Sequence, residues 1–168
     1  SHKALPADAA ERSLMRLARL DNSVSGEYAQ DVANDIRNAM QQHAGVFRTQ
    51  AVLDEGVVKI AALAQRVKSI TLKDKSQVFN TARIEALEVE NLIEAAQATI
   101  VSAAARRESR GAHSVNDYAD TPDLPNGRND AVWMKHTLWY SQANRLDYKP
   151  VQLKPLTAES IPPKVRTF

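Results

Sequence analysis

Between residues 7 and 107 the chain contains no proline, whereas six of its seven prolines (Pro122, Pro125, Pro150, Pro155, Pro162 and Pro163) fall after residue 120. Proline removes a backbone donor and clashes with the preceding turn, so its distribution marks where helices can run. The proline-free part is rich in Ala, Leu, Glu, Arg and Gln, all good helix formers. Six of the nine aromatics (Tyr118, Trp133, Trp139, Tyr140, Tyr148 and Phe168) lie in the last third. The expected layout is a helical body over residues 3–110 and an extended tail over 111–168 packed on it. Ser1-His2 reads as a tag remnant on an excised piece of a longer protein.

Apolar spacing predicts four helices. Leu14, Leu17 and Ala18 form a short first stripe, and Val32, Ile36, Met40 and His43 a second. Leu53, Val57, Ile60, Ala64 and Val67 form the third, with Thr49 as its cap. The fourth, Thr81 to Arg107, carries Val89, Leu92, Ile93, Ala96, Ile100 and Ala103 and holds no Gly or Pro. Asn91, which interrupts that stripe, is expected to hydrogen-bond inside the bundle, and Asn80 to be a polar anchor or a surface residue. Short connections favour a mainly α fold: an antiparallel, spectrin-repeat-like, up-and-down bundle of three to four helices. In the tail, Met134–Tyr140 and Tyr148–Leu153 are β-prone and predict a short β pair, with Pro150 restricting the second to an edge.

Composition excludes several functions. With no cysteine there is no disulfide, thiol nucleophile, Cys-zinc site or Cys-ligated cluster. The near balance of 22 Lys+Arg and 20 Asp+Glu argues against nucleic acid as the main partner. No apolar run reaches the roughly 20 residues of a membrane span. His43, His113 and His136 lack metal-ligand spacing, and no G-x-G-x-x-G, G-x-x-x-x-G-K-[ST] or G-x-S-x-G occurs. The densest polar cluster, Arg106-Arg107-Glu108-Ser109-Arg110-Gly111-Ala112-His113, admits an anion fork with His113 as proton carrier. The plainer reading makes it a helix end: arginines complementing the macrodipole, Gly111 a left-handed cap, His113 bonded to backbone.

Glu108-Ser-Arg-Gly-Ala-His113, followed by Asp117-Tyr118, closely resembles the C-terminal helical region of the succinate dehydrogenase and fumarate reductase flavoproteins. Met40-Gln-Gln-His-Ala-Gly-Val-Phe-Arg48, Asn91-Leu-Ile-Glu-Ala-Ala96, Trp133-Met-Lys-His-Thr-Leu138 and Pro162-Pro-Lys-Val-Arg166 extend the resemblance along nearly the whole chain. L-Aspartate oxidase and adenylylsulfate reductase share the fold, but the Lys-His-Thr-Leu segment and the ending favour the succinate dehydrogenase branch. Val115 and Asn116 depart from the family pattern, which has Arg and Glu there, and the loop from Ala119 to Asn129 is longer than usual.

The resemblance implies a parent oxidoreductase in which covalently bound FAD oxidises succinate to fumarate and electrons pass through an iron–sulfur subunit to quinone. The family's flavin and dicarboxylate residues lie in earlier domains, so no catalytic, cofactor-binding or metal residue is assigned here, and the isolated chain is expected to be inactive. The implied partners are the FAD-binding and capping domains of the same subunit and the iron–sulfur subunit. The implied location is peripheral, at the cytoplasmic face of a bacterial inner membrane. The residues expected to build interfaces are Arg48, Arg107, Glu108, Arg110, His113, Asp117, Tyr118, Trp133 and His136. The alternatives are the same domain of aspartate oxidase or fumarate reductase, or an unrelated helical protein-binding module.

Overall fold

The structure, a computed structural model, describes residues 2–162. The expectations for Ser1 and for the Pro163–Arg166 ending lie outside the described residues. The chain forms helices α1 (Glu11–Asn22), α2 (Ala29–His43), α3 (Gln50–Val67) and α4 (Thr81–Ala105), the single-turn α5 (Asp130–Trp133), and strands β1 (Lys135–Tyr140) and β2 (Arg145–Pro150).

Helices α2, α3 and α4 run up, down and up around one core. Val32, Ile36 and Ala39 of α2 meet Leu53, Ile60 and Leu63 of α3 and Ala86, Val89, Ile93, Ala96 and Ile100 of α4, all buried. Gly56 sets a close crossing of all three. A Cβ there would stand 2.6 Å from His43 Cβ and 2.9 Å from Ile100 Cδ1, so only glycine lets the three helices approach at that level. Both long helices start on side-chain caps: the Thr49 hydroxyl accepts from the Val52 amide and the Asn80 carbonyl oxygen from the Arg83 amide. Arg66 clamps the end of α3 to the start of α2 by donating to Glu27 and Asp35.

Several local expectations are corrected. Helix α1 buries only Leu20, in its last turn; Leu14 and Ala18 are exposed, because α1 is held to the bundle by Arg16 and Arg19 on Glu90 rather than by its apolar stripe. Asn91 is exposed and makes no bond within the bundle, since its position rotates it out of the α4 seam. Asn80 is the buried anchor, donating to the carbonyls of Asp74 and Ser76. Helix α4 ends at Ala105 with no basic residue in its last turn, and Arg106 follows in extended conformation. Gly111 has φ +59° as expected, but it shapes a tight turn closed by paired bonds between Arg110 and His113 instead of capping the helix. Strand β2 begins at Arg145, three residues before the expected segment, because β1 and β2 close around Ser141–Asn144 in antiparallel register with Tyr140 opposite Arg145. Pro150 ends the strand opposite Lys135, where its missing donor breaks no interior bond.

Candidate functional site

The polar turn after α4 folds into a clasp around one carboxylate. Glu108 has 0% exposure, the only acidic side chain so buried among the described residues. Its Oε1 accepts from Arg106 (2.7 Å) and from Arg110 Nε (2.7 Å). Its Oε2 accepts from Arg110 (3.0 Å) and from the Asn129 amide (2.8 Å). Burial by itself pushes the Glu108 carboxyl up, but Arg110, the Asn129 amide and Arg106 outweigh it and hold the group below the usual glutamate range. Arg110 reaches on to Asp130, which Arg128 also pairs. The two arginines thus join the turn to the start of α5.

Arg106 carries the clasp to the hairpin. It donates to the carbonyls of Trp133 (3.0 Å) and Lys135 (2.7 Å) and to the Thr137 hydroxyl (3.2 Å). Its guanidinium lies 5.1 Å from the Trp133 ring centroid; Lys135 stands over both the Trp133 and Tyr148 rings, which meet edge to face.

His113 carries the clasp to the bundle. Its Nε2 lies 3.1 Å from the Arg106 carbonyl, which can only accept, so Nε2 bears the proton. Nδ1 then accepts from Arg48 at 3.0 Å, and Arg48 also donates to the carbonyls of Ala44 and Gly45 just past α2. This arrangement needs neutral imidazole. Burial lowers the His113 pKa first, and the positive charges of Arg48 and Arg106 lower it further, against opposing contributions from the Arg106 carbonyl bond and Glu108. Beside it, the Asn116 amide donates to the Arg48 carbonyl (2.8 Å), and the Asp117 carboxylate accepts the first amide of α3, that of Gln50. Tyr118 donates to Gln50 and receives a bond from Arg107. Gly127, buried at φ +71°, lies where a Cβ would strike the Tyr118 carbonyl oxygen and sit 2.8 Å from Ser109 Cβ.

The structure therefore brings together Arg48, Glu108, Arg110, His113 and Trp133, and sets Arg107, Asp117 and Tyr118 in an adjoining group on Gln50. His136 stands apart, exposed on β1. The expected interface set omits Arg106, Asn129 and Asp130, although Arg106 joins Glu108, the hairpin and, through its carbonyl, His113. A buried Glu flanked by arginines two residues to either side is the signal that points to it. Chemically the arrangement binds its own chain. Both His113 nitrogens are engaged, Arg48, Arg106 and Arg110 donate to the chain's own acceptors, and among the described residues no cluster has the makings of a metal site.

A family sequence model described as "Fumarate reductase flavoprotein C-term" matches residues 33–168. The succinate dehydrogenase flavoprotein subunit of Rickettsia bellii is 42% identical over 99% of this chain and 28% of its own length. The mitochondrial succinate dehydrogenase [ubiquinone] flavoprotein subunit of rice is 36% identical over 99% of this chain and 26% of its own length. Among solved structures, an E. coli quinol fumarate reductase superposes with a TM-score of 0.76 at 29% identity, covering 95% of this chain and 27% of that one. The adenylylsulfate reductase of Archaeoglobus fulgidus, at 15% identity and a TM-score of 0.64 over 95% of this chain and 27% of that one, shares the fold. The chain thus spans little more than a quarter of the relatives it matches, and it belongs to the C-terminal family of the fumarate reductase and succinate dehydrogenase flavoproteins.

Proposed function

We propose that this chain is the C-terminal domain of a succinate dehydrogenase flavoprotein subunit and serves there as a scaffold that docks the flavin-bearing part and the iron–sulfur subunit. The parent would oxidise succinate with FAD and pass electrons toward quinone; this segment would carry out no chemical step. The residues present do not fit FAD on their own. The arginines of the clasp, the natural candidates to face a diphosphate, already donate to Glu108, Asp130 and backbone carbonyls. The grooves of the bundle are open troughs, such as one of about 400 Å3 between α2 and α4 lined by Ala29, Ala33, Arg37, Glu88 and Leu92.

The observation that carries the proposal is the Glu108 clasp. It fixes the α2–α3 connection, the end of α4 and the hairpin into one rigid unit, while the segment beyond β2 leaves Leu153, Leu156 and Ile161 exposed. Rigid support beside uncovered apolar chain suits a docking element. The proposed place in the parent complex is peripheral, at the cytoplasmic face of a bacterial inner membrane; no helix among the described residues is long and apolar enough to cross a membrane.

The test is co-purification of this chain, tagged, with the preceding part of the subunit and with the iron–sulfur subunit, read by co-elution and flavin absorbance. Binding of flavin-loaded partner is expected, and a chain that ignores both partners refutes the reading. In the full-length subunit, Arg110→Ala should reduce flavin retention or assembly more than succinate affinity. A selective rise in KM with normal assembly would overturn the scaffold role.

A further inference from the structure

Exposed apolar side chains gather at the end of the bundle where α1 and the α3–α4 connection meet. Val24 is 95% exposed, Val78 82%, Phe79 95% and Ile84 56%. Phe79 also has φ +55°, a left-handed backbone that a bulky side chain rarely adopts. Strain of this kind persists only where the surroundings over-determine it. Here they do: Asn80 donates to the carbonyls of Asp74 (2.8 Å) and Ser76 (3.0 Å), and the Asp74 carboxylate accepts from the Ser76 amide and hydroxyl. The chain holds an aromatic in strained backbone, pointing at solvent, beside a groove lined by Gln77, Thr81, Arg83 and Ile84. Within this chain the placement buries nothing. A rigidly presented, uncovered aromatic has the form of an interface anchor.

We infer that Val78, Phe79 and Ile84 form an anchor that inserts into an apolar slot on the earlier, flavin-bearing part of the same subunit. The inference rests on the docking role proposed above and names one of its surfaces. The occupant follows from connectivity. The chain covers about 28% of the Rickettsia relative and matches a family model described as C-terminal, so the bulk of such a subunit precedes it. The helix nearest that bulk in sequence, α1, is tied directly to the anchor loop. Arg83 pairs with Asp21 (2.6 Å), Ser23 bonds Thr71 (2.9 Å), and the Lys75 ammonium donates to the carbonyls of Asp21 and Ser23. The outer face of α1 is bare as well, with Leu14 and Met15 exposed beside Ala7, Ala10 and Ala18. The preceding domains join at the other end of α1, roughly 18 Å away along its 12 residues and within the width of a domain, so the covalent link still raises their local concentration near the anchor, which a separate subunit lacks.

Hydroxyl-radical footprinting read by mass spectrometry tests this on three samples: this chain alone, the full-length subunit, and the subunit with its iron–sulfur partner. Phe79 should be labelled at least about five-fold more slowly in the full-length subunit than in this chain, before any partner is added. Equal labelling overturns the inference, and protection that appears only with the iron–sulfur subunit overturns the occupant. If Phe47 or Leu156 becomes protected while Phe79 does not, the docking role stands and this surface is wrong. Phe79→Gly supplies a second readout of opposite sign. It relieves the left-handed strain, so this chain alone should melt at a higher temperature, while proteolytic release of the domain from the full-length subunit should speed up several-fold. A lower melting temperature with unchanged release would make Phe79 a folding residue only and sink the inference.

Discussion

Replacing Glu108 by Gln preserves shape and removes one charge, and the structure sets what that costs. Four donors converge on the carboxylate, from Arg106, twice from Arg110, and from the Asn129 amide. Glutamine keeps one acceptor oxygen and turns an NH2 group toward the two donors that met the other, so two bonds are lost and become donor–donor contacts. Removing one partner of a buried ion pair typically costs 3–5 kcal/mol. Two features place Glu108→Gln at the low end. The Arg106 and Arg110 side chains retain 14% and 27% exposure and so keep some water, and Arg110 keeps Asp130. The expected loss is about 3 kcal/mol, or a fall in Tm of roughly 6–12 °C for a domain of this size. Thermal unfolding followed at 222 nm measures it, with the fluorescence of Trp133 and Trp139, at and in the hairpin, reporting whether the hairpin detaches first. A loss below about 0.5 kcal/mol, the level of an ordinary surface change, would refute the argument that this carboxylate holds the clasp. A double-mutant cycle with Arg110→Gln should return a large coupling energy, since the two groups share two hydrogen bonds.

The remaining predictions concern other parts of the frame. Gly56→Ala should destabilise by about 1–3 kcal/mol in urea despite alanine's better helix propensity, because the new methyl meets His43 and Ile100; stabilisation would contradict the close crossing. Asn80→Ala removes the α4 cap and two bonds to the preceding loop and should cost about 2 kcal/mol in the same assay, with the α4 N-terminal amides exchanging faster. For His113, the fold lowers the pKa from an ordinary value near 6.5, so above that pH folded and unfolded chains are both neutral there. As pH falls below about 6.5 the unfolded chain takes up a proton that the folded chain resists, and stability declines until the folded pKa is passed. Denaturation midpoints between pH 7 and 5 should therefore fall in the native protein and stay flatter in His113→Asn; identical slopes would show that the imidazole does not titrate as the Arg48 contact requires.

The three bundle helices were legible because their apolar residues recur at helical spacing and almost every one meets a partner helix, as Leu53, Ile60 and Ile100 do. Helix α1 shows the limit of that signal. Its stripe has the right period, yet periodicity reports only that a face is apolar, and within this chain nothing covers Leu14. Asn91 departs from its expectation for a related reason: one polar residue beside a stripe can sit just outside the seam. At the clasp, the sequence located the turn and most of its residues, but the partners of Glu108 come from positions 106, 110 and 129, and the last of these is brought in by the glycine turn at 127 rather than by local spacing. Arg106 looks like a residue complementing a helix end because its true acceptors, the Trp133 and Lys135 carbonyls, are remote in sequence. Backbone acceptors leave no mark in a side-chain pattern.

The Asp117 carboxylate, which takes the first amide of α3 across 67 residues, has a consequence for the order in which the molecule assembles. On a ribosome, α2 and α3 emerge and can pair through nearby contacts long before residue 117 is made, and α4 can close the core on them. The start of α3 waits for its carboxylate partner, and Arg48 waits for His113, 65 residues later. These closures span long loops and so come late, after the local helical contacts. The clasp would then act as the final fastening of a bundle already formed, and slowing its closure should leave a compact helical intermediate whose hairpin is still free.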